Sequence, residues 1–102
     1  MIKITEISIK EPFKIICTFN TSEIKILDLK KVLDGRNQYA KKILDTSIYA
    51  KVKIGEFGEL TWENMAKMKD ENGELISCAY DISPEFAYHH SVSYGKLEQE
   101  TH

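Results

Sequence analysis

Three histidines, two cysteines and one tryptophan offer the most chemistry in this sequence, and spacing decides what each can do. His89 and His90 adjoin near the end of a predicted helix. Neighbouring helical residues point about 100° apart, so the two imidazoles cannot close on one ion as histidines at i and i+4 do. Surface or partly packed histidines are expected, and His102 stands alone at the terminus. Cys17 and Cys78 fall at apolar positions of predicted strands, where a reduced thiol behaves as a small hydrophobe. A disulfide between them would need adjacent side chains and an oxidising compartment. Thiolate catalysis would need a nearby cation or helix N-terminus, and a mid-strand apolar setting supplies neither. No nucleophile stands beside a base. No catalytic, cofactor-binding or metal-ligating residue is expected from these patterns, and no cofactor.

Phosphate cradles need clustered glycines opening a helix. The five glycines stand apart at 35, 55, 58, 73 and 95, and Gly55 and Gly58 bracket a turn. Trp62 shares a predicted strand face with Leu60, and Tyr80 shares one with Ile76 and Cys78, so both rings are expected in the core rather than in a ligand patch. Tyr88 and Tyr94 are expected nearer the surface, where tyrosine suits protein contact. Lysines at 30, 31, 41, 42, 51, 53, 67 and 69 read as solvated faces. Lys51 and Lys53 share one strand face and Lys67 and Lys69 another, so a basic stripe could form if those strands pair.

The elements that must position these groups come from a chain of 102 residues, which is one domain on length. Hydrophobic residues are 42% and charged residues 29%, an ordinary globular balance. Fourteen basic residues face sixteen acidic ones, for a net charge of −2. Nucleic-acid binding draws on a positive excess and is disfavoured here. No apolar run approaches the roughly 18–20 residues of a membrane span. The opening Met1-Ile2-Lys3-Ile4-Thr5-Glu6 lacks the pattern of a signal peptide, so the cytoplasm is expected.

Alternation gives the strands. Ile2 and Ile4 share one face and Ile7 and Ile9 the other, with a phase slip at Thr5-Glu6 that a β-bulge would produce. Pro12 ends that strand. Phe13, Ile15, Cys17 and Phe19 alternate cleanly, and Asn20-Thr21-Ser22-Glu23 turns the chain into a partner strand from Ile24 to Leu27. Asp28 caps a short helix bearing Leu29, Val32 and Leu33 on one face, ended by Gly35. A second helical stretch carries the pairs Tyr39 with Ile43 and Ala40 with Leu44. Residues 45–54 fit either period; a helical turn to Tyr49 followed by a strand to Ile54 reconciles them. Gly55-Glu56-Phe57-Gly58 is a turn. A strand with Leu60, Trp62, Asn64, Ala66 and Met68 on one face returns, after Asp70-Glu71-Asn72-Gly73, through Ile76, Cys78, Tyr80 and Ile82. Ser83-Pro84-Glu85 starts a last helix.

The order of these stretches resembles a small bacterial family, the domain of unknown function 2442. The resemblance spans roughly residues 2–90. It is carried by Thr18-Phe19 with Glu23-Ile24-Lys25-Ile26-Leu27-Asp28-Leu29, by Gly58-Glu59-Leu60-Thr61-Trp62 and by Asp81-Ile82-Ser83-Pro84-Glu85. Ser22 stands where the family's first turn usually has glycine, and the segment from Trp62 to Asp81 is longer than the family's short connection. The resemblance implies no established activity. Fusion of some members to helix-turn-helix domains implies an accessory role in regulation.

The expected fold is α+β: a curved antiparallel sheet of about five strands, a central helical segment on one face and a short C-terminal helix. Residues 1–95 form the domain and 96–102 a polar tail. The expected function is a non-enzymatic protein-binding or regulatory accessory module, its contact surface an extended hairpin arm at residues 64–76 that also offers an edge for homodimerisation. A small enzyme with an unrecognised site and a weak nucleic-acid-binding accessory are the alternatives.

Overall fold

A computed structural model describes residues 1–33 and 38–94, the side chains of 38, 39 and 64–68 excepted. In chain order, strands β1 (Ile4–Lys10), β2 (Lys14–Phe19) and β3 (Ile24–Asp28) lead into three short helices, α1 (Leu29–Leu33), α2 (Gln38–Ile43) and α3 (Thr46–Tyr49). Strands β4 (Lys53–Ile54), β5 (Leu60–Lys69) and β6 (Leu75–Ile82), helix α4 (Pro84–His90) and strand β7 (Val92–Ser93) follow. The class is α+β. The five long strands read from alternation are present, and β4 and β7 add two residues each. They divide between a four-stranded sheet, ordered β1-β2-β3-β7, and a three-stranded sheet, β4-β5-β6, instead of forming one. All pairings are antiparallel.

In β1, Ile4 pairs with Phe19 and Glu6 with Thr18, which leaves Thr5 as the extra residue of a bulge. The slip has a packing consequence. Unbroken alternation would set Ile4 and Ile7 on opposite faces, but the bulge puts both on the core side, opposite Phe19 and Cys17.

Three turns use one geometry. In each, the first residue's N–H donates to the carbonyl of the fifth and its carbonyl accepts from the N–H of the fourth. The five-residue units are Phe19 to Glu23, Gly55 to Glu59 and Asp70 to Glu74, with distances of 2.8–3.1 Å. The fourth residue takes positive φ: Ser22 at 73°, Gly58 at 78° and Gly73 at 80°. This is the three-residue hairpin loop with a left-handed fourth position. Asn72 is not left-handed, so the Asn-Gly pair serves this loop and not the two-residue turn. Ser22 does glycine's task.

The helices form where their caps allow. Asp45 accepts from Ser47 N–H (2.9 Å) to open α3, and Ser83 accepts from Phe86 N–H (3.1 Å) to open α4 with Pro84 in its first turn. Lys30 N–H donates to Asp28 (3.1 Å) at the start of α1. The strand after α3 is only Lys53–Ile54, because the N–H groups of Lys51 and Val52 still donate to the Ile48 and Tyr49 carbonyls in the turn. The stop at Gly35, the Tyr39 pairing and the 96–102 tail lie outside the described residues.

One core joins the two sheets. Ile15, Cys17, Phe19 and Leu27 pack with Leu29, Leu33, Ala40, Ile43 and Tyr49 from the helices and with Leu60, Trp62 and Ile82 from the second sheet. The buried Trp62 indole N–H donates to the Tyr49 carbonyl at 3.2 Å. Ile4 N–H donates to the Gly58 carbonyl at 3.0 Å, seaming the sheets together.

Candidate functional site

Beyond this core the second sheet continues as a two-stranded arm. Leu60 pairs with Ile82 and Trp62 with Tyr80 at its base; a two-residue irregularity follows, and the pairing resumes from Ala66 with Cys78 to Lys69 with Leu75. A ten-residue strand reaches roughly 33 Å, a little over half of the molecule's long axis of 58 Å. At the tip, Asp70 accepts from the N–H groups of Asn72 and Glu74, both at 2.9 Å, fixing the turn.

The outer half of β6 has an unusual surface. Leu75 is 67% exposed and Ile76 44% exposed, and residues 75–80 carry no charge. Adjacent residues of a strand point to opposite faces, so Leu75 and Ile76 put apolar surface on both sides of the arm. Asp70 and Glu74 form a hydrogen-bonded pair, and by alternation Leu75 and Ala79 turn their backbone groups away from β5. The β6 edge is therefore both apolar and a strand template.

At the arm's root an open recess of about 300 Å³ is lined by Leu33, Tyr80, Asp81, Ile82, Ser83 and Phe86. Its polar groups hold structural hydrogen bonds. Asp81 accepts from the Thr61 hydroxyl at 2.5 Å, and Ser83 caps α4. Tyr80 is half-buried and meets Trp62 edge-on at 6.4 Å, so it walls this recess as well as supporting the core.

The other reactive side chains scatter. Cys17 is fully buried in the first sheet, and burial pushes its thiol up to about 12, which keeps it protonated and non-nucleophilic. Cys78 is free and half-buried on the arm. His89 and His90 are exposed; His90 stacks on Phe86 at 4.1 Å and His89 meets Tyr88 edge-on at 5.6 Å. His102 lies outside the described residues, among which no three His, Cys, Asp or Glu side chains gather as a metal site.

Tyr88 is half-buried. Its hydroxyl donates to Glu23 at 2.5 Å, and Lys25 lies over its ring at 3.9 Å while donating to its carbonyl at 2.6 Å. The Tyr88 hydrogen bond holds the Glu23 carboxyl below the usual glutamate range, and the same bond raises the Tyr88 hydroxyl. This cluster ties α4 to β3.

The conditional basic stripe does not assemble. β4 pairs with the root of β5, Lys53 opposite Thr61, whereas Lys67 and Lys69 pair near the tip with Ser77 and Leu75. Lys53 is bound to Glu63 at 2.6 Å. A smaller recess of about 170 Å³ on the first sheet gathers Lys14, Lys31 and His90, with Asp28 beside them. No described helix is long and apolar enough to cross a membrane.

The sequence alone points to residues 64–76 as the contact surface and to the return strand, with Ile76, Cys78 and Tyr80, as core. The signal for the exposed stretch was Leu75-Ile76, two adjacent apolar residues that one buried face cannot accommodate. Fold and surface together define a small α+β domain with a projecting two-stranded arm. Comparison with known protein families, with curated proteins and with solved structures finds no match for this chain.

Proposed function

We propose that this chain is a non-enzymatic protein-binding accessory module, and that the arm is its contact surface. The occupant is an extended, uncharged segment of a partner protein that adds as a strand along β6. The observation that carries this reading is the uncharged edge at residues 75–80, with Leu75 and Ile76 exposed. Main-chain hydrogen bonds would supply affinity, and alternate side chains would meet apolar surface on both faces of the arm. A regulatory setting rests on the family resemblance alone.

The enzymatic alternative has less support. The recess at the arm's root contains Asp81 and Ser83, but both are engaged structurally, and no side-chain base among the described residues is seen hydrogen-bonded to the serine. The test is affinity capture from the source organism with wild-type protein and a Leu75→Lys/Ile76→Lys variant. A protein retained by the wild type and lost with the variant supports the reading. Equal recovery by both, or none by either, refutes it.

A further inference from the structure

The first sheet has a second open edge, and its sequence is complementary to itself. β1 lies at the border of the sheet, and among the described residues only Ile4 makes a bond beyond it, to Gly58. From the bulge to the turn its residues are Glu6, Ile7, Ser8, Ile9 and Lys10. Glu6, Ser8, Ile9 and Lys10 are exposed, Ile9 at 37%.

The direction of the backbone groups follows from the next strand. Phe19 N–H donates to Glu23 across β2–β3, so by alternation Lys14, Ile16 and Thr18 turn theirs toward β1. Their partners are Lys10, Ser8 and Glu6. Ile7 and Ile9 are left with N–H and C=O groups facing outward.

We infer that β1 is a homodimerisation strand, pairing antiparallel with β1 of a second copy about a two-fold axis at Ser8. In that register Ile7 of each chain lies opposite Ile9 of the other, and these are the residues whose backbone groups face outward. Four main-chain hydrogen bonds form. Ser8 meets Ser8 on the axis, and Glu6 of each chain stands opposite Lys10 of the other as a non-hydrogen-bonded pair, where side chains approach most closely. The bulge at Thr5 and the turn after Lys10 bound the paired segment.

The single chain supplies a second argument. Lys10 pairs with Lys14 in β1–β2, and Lys14 with Asp28 in β2–β3. Like charges directly opposite destabilise a sheet. Lys14 has Asp28 to offset it, while among the described residues Lys10 has the Tyr94 ring, 5.9 Å away, and no carboxylate in ion-pair contact. Glu6 has no ion-pair partner among the described residues. A second copy completes the row as Asp28, Lys14, Lys10, Glu6 and satisfies both.

This edge also specifies a register, which the uncharged β6 edge does not. One-residue slips would bring the outer-face charges out of alignment and turn the apolar face outward. The inference is independent of the arm's role.

The test is sedimentation equilibrium on the full chain, with dimerisation that weakens as salt rises. Glu6→Lys and Lys10→Glu should each weaken dimerisation about 30-fold, because two symmetry-related pairs change from attraction to repulsion. The double variant should restore it, since exchanging both charges again sets opposite signs against each other across the axis. Mixing the two single variants should give a heterodimer tighter than either homodimer. Both positions are exposed, so folding is preserved, and circular dichroism confirms it. The Leu75→Lys/Ile76→Lys arm variant should dimerise like the wild type. A wild type that stays monomeric at millimolar concentration overturns the proposal, as does a dimer indifferent to both reversals, failure of the double variant to recover, or loss of the dimer in the arm variant.

Discussion

Replacing Ser22 with glycine should stabilise this protein. Its φ of 73° matches the 78° of Gly58 and the 80° of Gly73 in the two turns of the same hydrogen-bonding pattern. A left-handed conformation costs an L-residue about 1–2 kcal/mol through the clash of its Cβ with the following carbonyl. Glycine removes that cost, but its freer unfolded chain gives back roughly 0.5–1 kcal/mol. The Ser22 side chain is exposed and makes no hydrogen bond among the described residues, while the bond from its N–H to Phe19 is kept. The net expectation is a gain of about 0.5–1 kcal/mol, or roughly 3–6 °C in Tm. Urea denaturation followed by far-ultraviolet circular dichroism reads it, with an unchanged m-value. The two glycines calibrate the result. Nothing lies within 4 Å of a Cβ at Gly73, so Gly73→Ser should lose about what Ser22→Gly gains. At Gly58 a Cβ would stand 2.7 Å from Lys3 Cβ and 3.0 Å from its Cα, so Gly58→Ala should cost clearly more. A neutral or destabilising Ser22→Gly, alongside a costly Gly73→Ser, would show that the turns are not equivalent.

Two further expectations concern the interior. The Tyr49 hydroxyl is buried without a hydrogen-bond partner among the described residues, and the bond from Trp62 goes to the Tyr49 backbone. Tyr49→Phe should therefore raise stability by about 1 kcal/mol, measured by thermal unfolding. The Cys17 thiol is raised in the folded state from near 9 to about 12. Its contribution to stability is complete below pH 9 and is lost as pH rises toward 12, by up to about 1.4 kcal/mol per pH unit. Cys17→Ala should be less stable at neutral pH but show a shallower alkaline decline in urea titrations. Thiol-reagent labelling of the native protein should modify Cys78 before Cys17.

Much of the fold was legible because local signals agreed with one another. The Phe13 to Phe19 alternation, the Ser83 cap and the Thr5-Glu6 phase slip each had one physical meaning, and each element formed there. The division into two sheets was not legible, since it depends on where β4 pairs, and β4 is two residues long. Ser22 hid its conformation because φ follows from the turn's hydrogen bonds and not from the residue's own preference. The arm's length could be read from Asn72-Gly73 and the strands around it, whereas its apolar character was masked by a regular alternation that resembles core. Self-complementarity at β1 was also written in the chain. It acquired meaning only once β1 proved to be an edge and the bulge fixed which residues face outward.

The same division of labour explains why the arm can be altered without unfolding the body. Leu60, Trp62 and Ile82 at its root are buried, and truncating an aromatic there should cost about 3–5 kcal/mol. Leu75 and Ile76 are exposed, so the Leu75→Lys/Ile76→Lys variant should keep its unfolding free energy from urea titration to within about 0.5 kcal/mol of wild type. Trp62→Phe is the matching control at the root, because it removes the indole N–H bonded to Tyr49 and part of the buried ring. If the arm variant fell as far as the Trp62 variant, the outer hairpin would be an integral part of the core. Its exposed apolar edge could then not be read as a surface kept for a partner.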